Sequence, residues 1–226
     1  LSFQQAIEQV CAPGGLFEIT ETEVRGIPTK VFAGTPPNLR FLYQMAAERE
    51  DEFVIYEDER WTMPEVLKLS GQLGSALEKK FSIQKGDRVA IAMRNYPEWI
   101  AAFAAITSIG AVAVPLNAWW EPDELGFALN DSGAKVVFAD TERIQKISDS
   151  NVNITSLEII KVRSKSQDNF GTNLLESLLD SDSTMPEVEI DPDENATILY
   201  TSGTTGKPKG AVSSHRAILS ALLGFS

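Results

Sequence analysis

The stretch of sequence that decides the fold is PEWIAAFAAITSIGAVAVP, at residues 97–115. Asn95 stands where a helix cap belongs, and Pro97 suits the first turn of a helix. Gly110 suits the end of that helix, and the apolar run at 111–115 that follows is typical of a buried strand. The pattern therefore predicts a helix over residues 97–109, a turn, and a strand.

A membrane span is the alternative for this region, because residues 99–120 carry no charged side chain over 22 positions. Pro and Gly, however, divide the stretch into two pieces that are each too short to cross a bilayer. The start of the chain has no basic region followed by an apolar one, so no signal peptide is predicted. Helix, turn and strand is the interpretation that we adopt.

The same alternation of short apolar runs and helical segments extends outward from this stretch. Strands are predicted at 89–92, 136–138, 157–162 and 196–200, and helices at 122–132 and 172–179. Near-continuous apolar strands separated by helices are typical of a parallel sheet that is covered on both faces. The predicted class is therefore α/β, with a mostly parallel sheet flanked by helices.

The N-terminal part has a different character. The first 40 residues are rich in Gly, Pro and Thr and are predicted to follow the surface in short extended pieces. Residues 53–56 and 61–62 predict a hairpin that leads into a helix at 64–80, with Thr62 and Glu65 as its capping box. That helix carries an apolar stripe made of Val66, Leu69, Leu73 and Leu77.

Composition limits the classes of partner. The chain has 20 Lys and Arg against 32 Asp and Glu, a formal net charge of −12, which repels nucleic acid. The acidic, Ser-rich run at 180–194 is predicted to be a solvated, flexible connection. Cys11 is the single cysteine, so no intrachain disulfide is possible and a reducing, cytoplasmic location is predicted.

The segment that carries chemistry is YTSGTTGKPKG, at residues 200–210. A strand runs directly into glycines, hydroxyl side chains and lysines, a composition that suits the wrapping of a polyphosphate. No Asp or Glu occurs from Ala196 onward, whereas Lys207, Lys209 and Arg216 do. An acidic protein that becomes locally basic at a Gly/Thr loop is predicted to bind an anion there.

Polyphosphate binding is one of several interpretations of this loop. A mobile Gly/Ser surface turn has a similar composition. A Walker loop does not fit, because two residues separate Gly203 from Gly206 where four are needed, and Pro208 stands where Ser or Thr belongs. A dinucleotide-binding Gly-x-Gly-x-x-Gly fingerprint is also absent from this loop.

The string from Thr201 to Gly210 resembles the phosphate-binding signature of the adenylate-forming superfamily. That superfamily includes acyl- and aryl-CoA synthetases, peptide-synthetase adenylation domains and luciferases. Residues 95–99, 110–117 and 124–135 resemble its early segments. Residues 117–120 and the leader at 13–29 are more similar to bacterial fatty-acid CoA ligases than to amino-acid-activating domains.

The resemblance implies an ATP-dependent acyl-CoA synthetase. Fatty acid, ATP and coenzyme A would give acyl-CoA, AMP and pyrophosphate through an acyl-adenylate, with Mg²⁺ bound to the ATP. It implies no catalytic or metal-ligating residue in this chain, gives Lys207 a supporting role, and leaves His215 to cap or orient the next helix. The residues implied to hold the β- and γ-phosphates are Thr201, Ser202, Gly203, Thr204, Thr205 and Gly206, with Lys209 neutralising their charge.

The resemblance also implies a division of the chain and an incomplete N-terminal domain. Residues 1–86 would belong to a neighbouring, incomplete sheet, and residues 87–226 would form the parallel α/β subdomain that ends in the ATP-phosphate loop. The stripe on the 64–80 helix would then stay partly exposed, which favours a homo-oligomer. Two alternatives stay open: an amino-acid-activating adenylation domain, and a truncated, non-catalytic module that binds nucleotide phosphates.

The family's adenine-binding, ribose-binding and C-terminal lysine motifs have no counterpart in this sequence, so we expect no adenylation by this chain alone. We also expect weak ATP binding, because a few charge-assisted hydrogen bonds of about 1.5–3 kcal/mol each must offset the cost of association. Isothermal titration calorimetry tests this. A sub-micromolar dissociation constant for ATP, or pyrophosphate release with a fatty acid, contradicts it.

Overall fold

The structure, a computed structural model, describes residues 2–15, 17–154, 156–163, 173–201 and 208–224. The helices in this part are α1 (Phe3–Val10), α2 (Leu39–Met45), α3 (Met63–Phe81), α4 (Pro97–Ser108), α5 (Pro122–Ser132), α6 (Thr141–Asp149), α7 (Leu175–Leu178) and α8 (His215–Leu223). The strands are β1 (Ile19–Val24), β2 (Ile27–Phe32), β3 (Glu52–Tyr56), β4 (Glu59–Thr62), β5 (Arg88–Ala92), β6 (Val112–Pro115), β7 (Val136–Ala139), β8 (Glu158–Lys161), β9 (Asn173–Leu174), β10 (Asn195–Thr201) and β11 (Lys209–Ser214).

Seven strands form the main sheet in the order β11-β10-β6-β5-β7-β8-β9. Six of them are parallel, and only the edge strand β11 runs antiparallel, as the second arm of a hairpin with β10. The chain places β6 on one side of β5 and then crosses to place β7 on the other side. The prediction of an α/β fold with a mostly parallel sheet is confirmed.

Helices bury both faces of this sheet. In β5, Val89 and Ile91 point into one core with residues of α3 and α4, whereas Ala90 and Ala92 point into a second core with residues of α5 and α6. All four side chains are fully buried. Alternation with a period of two between two apolar cores explains why β5 is apolar throughout.

The helix predicted at 64–80 is observed as α3, with the predicted capping box between Thr62 and Glu65. The expectation that its apolar stripe stays partly exposed holds only for Leu69, which is half-buried. Val66, Leu73 and Leu77 are at most 1% exposed, because α3 packs against α4 over the sheet. Leu69 is therefore the stripe residue that reaches the surface.

The proposed division at residue 86 and a homo-oligomer stay predictions. Strands β1 and β2, and likewise β3 and β4, form two-stranded sheets outside the main one. Helix α3 nevertheless shares its core with strands β5, β6 and β7.

The acidic run at 180–194 has no helix or strand and many exposed residues, as predicted for a solvated connection, but contacts with neighbouring segments hold it in place. Lys85 Nζ donates to the Glu189 carbonyl oxygen at 2.7 Å, and Asn38 Nδ2 donates to the Ile190 carbonyl oxygen at 3.0 Å. Met185 packs so closely over α3 that a Cβ atom on Gly74 would lie 2.8 Å from its Sδ atom. Hydrogen bonds from side chains to these carbonyl oxygens, together with this close approach, tie the run to the helical layer.

Smaller differences occur at helix ends. Helix α1 was not predicted, although Ser2 and Gln5 form a capping box in front of it. Tyr96 rather than Asn95 is the N-cap residue of α4. In the described part of 172–179, only the single turn α7 is helical.

Among the described residues, no helix combines the length and the apolar character that crossing a membrane requires.

The buried stripe of α3 generates a stability prediction. Leu73→Ala removes a fully buried side chain and leaves a cavity, so we expect the free energy of unfolding to fall by about 2–5 kcal/mol. Leu222→Ala is the matched control, because Leu222 is 50% exposed and its truncation should cost about 0.5 kcal/mol. Urea unfolding at neutral pH measures both, and equally small losses would contradict the observed packing.

Candidate functional site

The carboxyl edge of the sheet is where the predicted loop begins. Strand β10 is parallel to β6, so Thr201, the last residue of β10, lies at the edge where β5, β6 and β7 also end. In open α/β sheets, ligands bind outside the carboxyl ends of the strands. The predicted phosphate loop therefore starts at the edge that suits a ligand site.

Thr201 and Lys209 are the two predicted site residues that the structure describes, and it brings them together. They are direct Cα partners across the β10–β11 hairpin, and both are exposed. The other predicted site residues, Ser202, Gly203, Thr204, Thr205 and Gly206, lie outside the described residues, as does Lys207. Thr201 and Lys209 thus place a hydroxyl group and an ammonium group on facing positions of the hairpin stem.

A buried ion pair organises the loops at this edge. Asp140, which follows β7, accepts hydrogen bonds from the backbone N–H groups of Arg143 at 3.1 Å and Arg94 at 3.0 Å. The Arg143 guanidinium is 2% exposed, and Nη1 pairs with Asp140 Oδ1 at 3.3 Å. Its Nε and Nη2 atoms both donate to the Ala118 carbonyl oxygen, at 2.9 and 2.7 Å. One charged cluster therefore joins the loops that follow β5, β6 and β7.

A cation and an aromatic face lie next to this cluster. The guanidinium of Arg94 stands 5.0 Å from the ring centroid of Trp119, whose side chain is 68% exposed. Together with Tyr56, Asn95 and Ala118 they line a cavity of about 240 Å³. Sequence reasoning did not single out Arg94, since one exposed arginine gives no signal before the strand order is known.

His215 lies at the opposite edge of the sheet from the loop. Strand β11 runs back to the amino end of β10, where Ser214 pairs with Asn195. Ser214 Oγ caps α8, and the Nδ1 atom of the fully buried His215 accepts the backbone N–H of Leu39 at 3.3 Å. Ser214, not His215, is therefore the cap of α8. His215 instead orients the helix, as the alternative prediction had it, because its hydrogen bond joins α8 to the start of α2.

Burial also fixes the charge state of this histidine. Removal from water lowers the pKa of His215 to about 4, and the negative charge of Glu194 opposes that effect only in part. The imidazole is therefore neutral at pH 7. Buried, neutral and at the amino edge, it has no reach to a ligand held beside Thr201.

Arg216 corrects another expectation. It was counted with Lys207 and Lys209 as part of a basic surface for an anion. Its Nε and Nη2 atoms instead pair with the Asp193 carboxylate at 2.6 and 3.0 Å, next to His215. Among the residues that the structure describes, no group of three or more His, Cys, Asp or Glu side chains is placed to hold a metal ion.

Comparison with known proteins gives matches along most of the chain. The family model described as AMP-binding enzyme matches residues 41–226. The long-chain-fatty-acid–CoA ligase FadD13 of Mycobacterium tuberculosis is 35% identical over 172 residues, which cover 73% of this chain and 31% of the ligase. The 2-succinylbenzoate–CoA ligase of Bacillus velezensis is 32% identical over 157 residues, which cover 70% of this chain and 29% of that ligase.

A solved structure agrees with these matches. The inhibitor-bound N-terminal domain of FACL13 from Mycobacterium tuberculosis superposes with a TM-score of 0.67 at 30% identity, over 80% of this chain and 45% of that one. This chain spans less than a third of the length of the two curated ligases, 31% and 29%.

The buried histidine generates a pH prediction. Its folded pKa of about 4 lies below the ordinary value of 6.5, so the unfolded state takes up the proton first as the pH falls. The contribution of the neutral imidazole to the free energy of unfolding is fully present above pH 6.5. It falls by about 3 kcal/mol as the pH decreases to 4. His215 is the sole histidine, so one imidazole NMR signal should titrate near pH 4.

His215→Asn is the matched variant for this prediction, since its amide does not titrate in this range. Its unfolding free energy should depend less on pH between 4 and 6.5 than that of the wild-type chain. An imidazole signal that titrates near pH 6.5 in the folded protein would count against the assigned burial.

Proposed function

Because this chain belongs to the AMP-binding enzyme family, we propose that it forms the ATP-phosphate-binding part of an acyl-CoA synthetase. The reaction has two steps. A carboxylate oxygen attacks the α-phosphorus of ATP and pyrophosphate leaves, and the sulfur of coenzyme A then attacks the acyl carbonyl and AMP leaves. Both steps depend on positioning and on the stabilisation of developing charge.

The observation that carries the proposal is the pairing of Thr201 with Lys209 at the carboxyl edge of the sheet. On this proposal the Thr201 hydroxyl donates a hydrogen bond to a phosphate oxygen, and the Lys209 ammonium group balances the charge of the β- and γ-phosphates. Ser202, Gly203, Thr204, Thr205 and Gly206 would add backbone and hydroxyl donors. Magnesium bound to ATP would neutralise further charge on the phosphates.

The substrate class rests on the relatives. One match is named for long-chain fatty acids and another for 2-succinylbenzoate, and both names include CoA ligase. These names support a carboxylic acid as the substrate and coenzyme A as the acceptor. They favour a CoA ligase over an amino-acid-activating adenylation domain. We propose a fatty acid, because the residues at 117–120 and 13–29 are similar to fatty-acid ligases.

Lys209→Ala tests the proposal directly. Loss of one charge-assisted hydrogen bond, about 1.5–3 kcal/mol, should weaken the binding of pyrophosphate and of Mg-ATP by about 10- to 150-fold in calorimetry. Lys79→Ala is the matched control, because Lys79 is an exposed lysine in the last turn of α3, the end of the helix that leads to the amino end of β5.

Two results would contradict the proposal. One is the absence of any pyrophosphate or ATP binding by the wild-type chain at millimolar concentration. The other is equal affinity in the wild-type and Lys209→Ala chains. A panel of fatty, aromatic and amino acids, tested for thioester formation in a protein that contains this chain, separates the substrate classes.

A further inference from the structure

Tyr200 precedes the paired residue Thr201, and its side chain joins the hairpin to another element. The Tyr200 hydroxyl donates to Asp131 Oδ2 at 2.7 Å, and it lies 3.4 Å from the Ala128 carbonyl oxygen. Both acceptors belong to helix α5. The neighbours of Tyr200 along the strand, Leu199 and Thr201, are exposed. The Tyr200 side chain, immediately before the loop, therefore connects strand β10 to helix α5.

Asp131 occupies a position that its own helix does not favour. It lies in the last turn of α5, where the helix dipole is negative and an acidic side chain costs free energy. No basic side chain is present in that turn to offset the charge. An acidic side chain at an unfavourable helix position indicates that its carboxylate has a partner outside the helix. The partner observed is the phenol of Tyr200.

The rest of the environment holds the phenol ring in place. The Trp120 ring meets the Tyr200 ring edge to face, with centroids 6.1 Å apart. On the facing strand, Gly210 is the direct partner of Tyr200, and a Cβ atom there would lie 2.8 Å from Ile198 Cγ2 and 3.3 Å from Tyr200 Cζ. Glycine at 210 thus leaves the space that the ring occupies.

The phenol is a hydrogen-bond donor throughout the physiological range. Burial raises the pKa of Tyr200 well above its ordinary value, and the hydrogen bond to Asp131 raises it further. The bond is charge-assisted and short, as expected for a neutral hydroxyl that donates to a carboxylate.

We propose that Tyr200 and Asp131 are a positioning pair that fixes the Thr201–Lys209 stem against helix α5 and thereby sets the affinity of Thr201 and Lys209 for a polyphosphate. The inference rests on the proposed function, since it assigns the pair an effect on phosphate binding. Strand β11 lies at the edge of the sheet, and the partner of β10 on its other side is β6, paired at Thr197, four residues before Thr201. Without the pair, a phosphate ligand would have to order the stem when it binds, at a cost in affinity.

Two conservative variants test the pair. Tyr200→Phe keeps the ring and removes the hydroxyl, and Asp131→Asn keeps the shape and removes the charge. Each should weaken pyrophosphate binding in calorimetry by about 5- to 20-fold, and each should speed trypsin cleavage after Lys209. The double variant should bind no more weakly than Tyr200→Phe, because the hydroxyl that donates to residue 131 is already absent from that single variant.

Tyr43→Phe is the matched control. It also removes one hydroxyl from a part-buried hydrogen bond, between Tyr43 Oη and Thr107 Oγ1 at 3.3 Å, but on the α2–α4 contact. This variant should lower the melting temperature without any change in pyrophosphate affinity or in cleavage after Lys209. A merely structural role for Tyr200 predicts the same result for Tyr200→Phe.

The outcomes separate this inference from the proposed function. Wild-type affinity in Tyr200→Phe and Asp131→Asn, with weaker binding in Lys209→Ala, overturns the positioning pair and leaves the proposed function standing. No pyrophosphate binding by the wild-type chain overturns both. Weaker binding in both variants, with the Tyr43→Phe control unchanged, supports the pair.

Discussion

Parallel pairing of β5 with β6 and β7 is the constraint on which the rest of this structure depends. Parallel strands need a crossover between each pair, and the crossover helices bury both faces of the sheet. Every segment that follows one of these parallel strands then emerges at the same edge. A set of residues far apart in sequence, from Arg94 to Thr201, is collected at that edge for this reason alone.

A buried charged cluster lies at this edge. Burial of Arg143 and Asp140 would be unfavourable if either group lacked partners. The pair is satisfied because the guanidinium also donates to the Ala118 carbonyl oxygen and the carboxylate accepts the Arg94 N–H. The cluster thereby fixes the β6–α5 loop, which carries the Trp120 ring that meets Tyr200. Contacts through Trp120 and Tyr200 therefore connect the charged cluster to the hairpin stem.

The two ends of the β10–β11 hairpin have separate tasks. At the carboxyl edge, Thr201 and Lys209 face solvent and leave polar groups available for a ligand. At the amino edge, Arg216 pairs with Asp193 and His215 joins α8 to α2. The basic side chains of the C-terminal sequence therefore differ by their place on the hairpin: Lys209 lies in the proposed binding stem, whereas Arg216 is part of the scaffold.

The sequence by itself determined the features that arise from neighbouring residues. The helix and strand around Gly110 and the capping box at Thr62 depend on periodicity and on hydrogen bonds three or four residues apart, so the pattern was enough to predict them. The phosphate-loop motif was visible for the same reason. Only the tertiary structure decided the burial of α3, the tethering of the acidic run, the partner of Arg216, and the contact between Tyr200 and Asp131. Each of these depends on which distant segments the strand order places side by side, and a single sequence carries no local signal for that order.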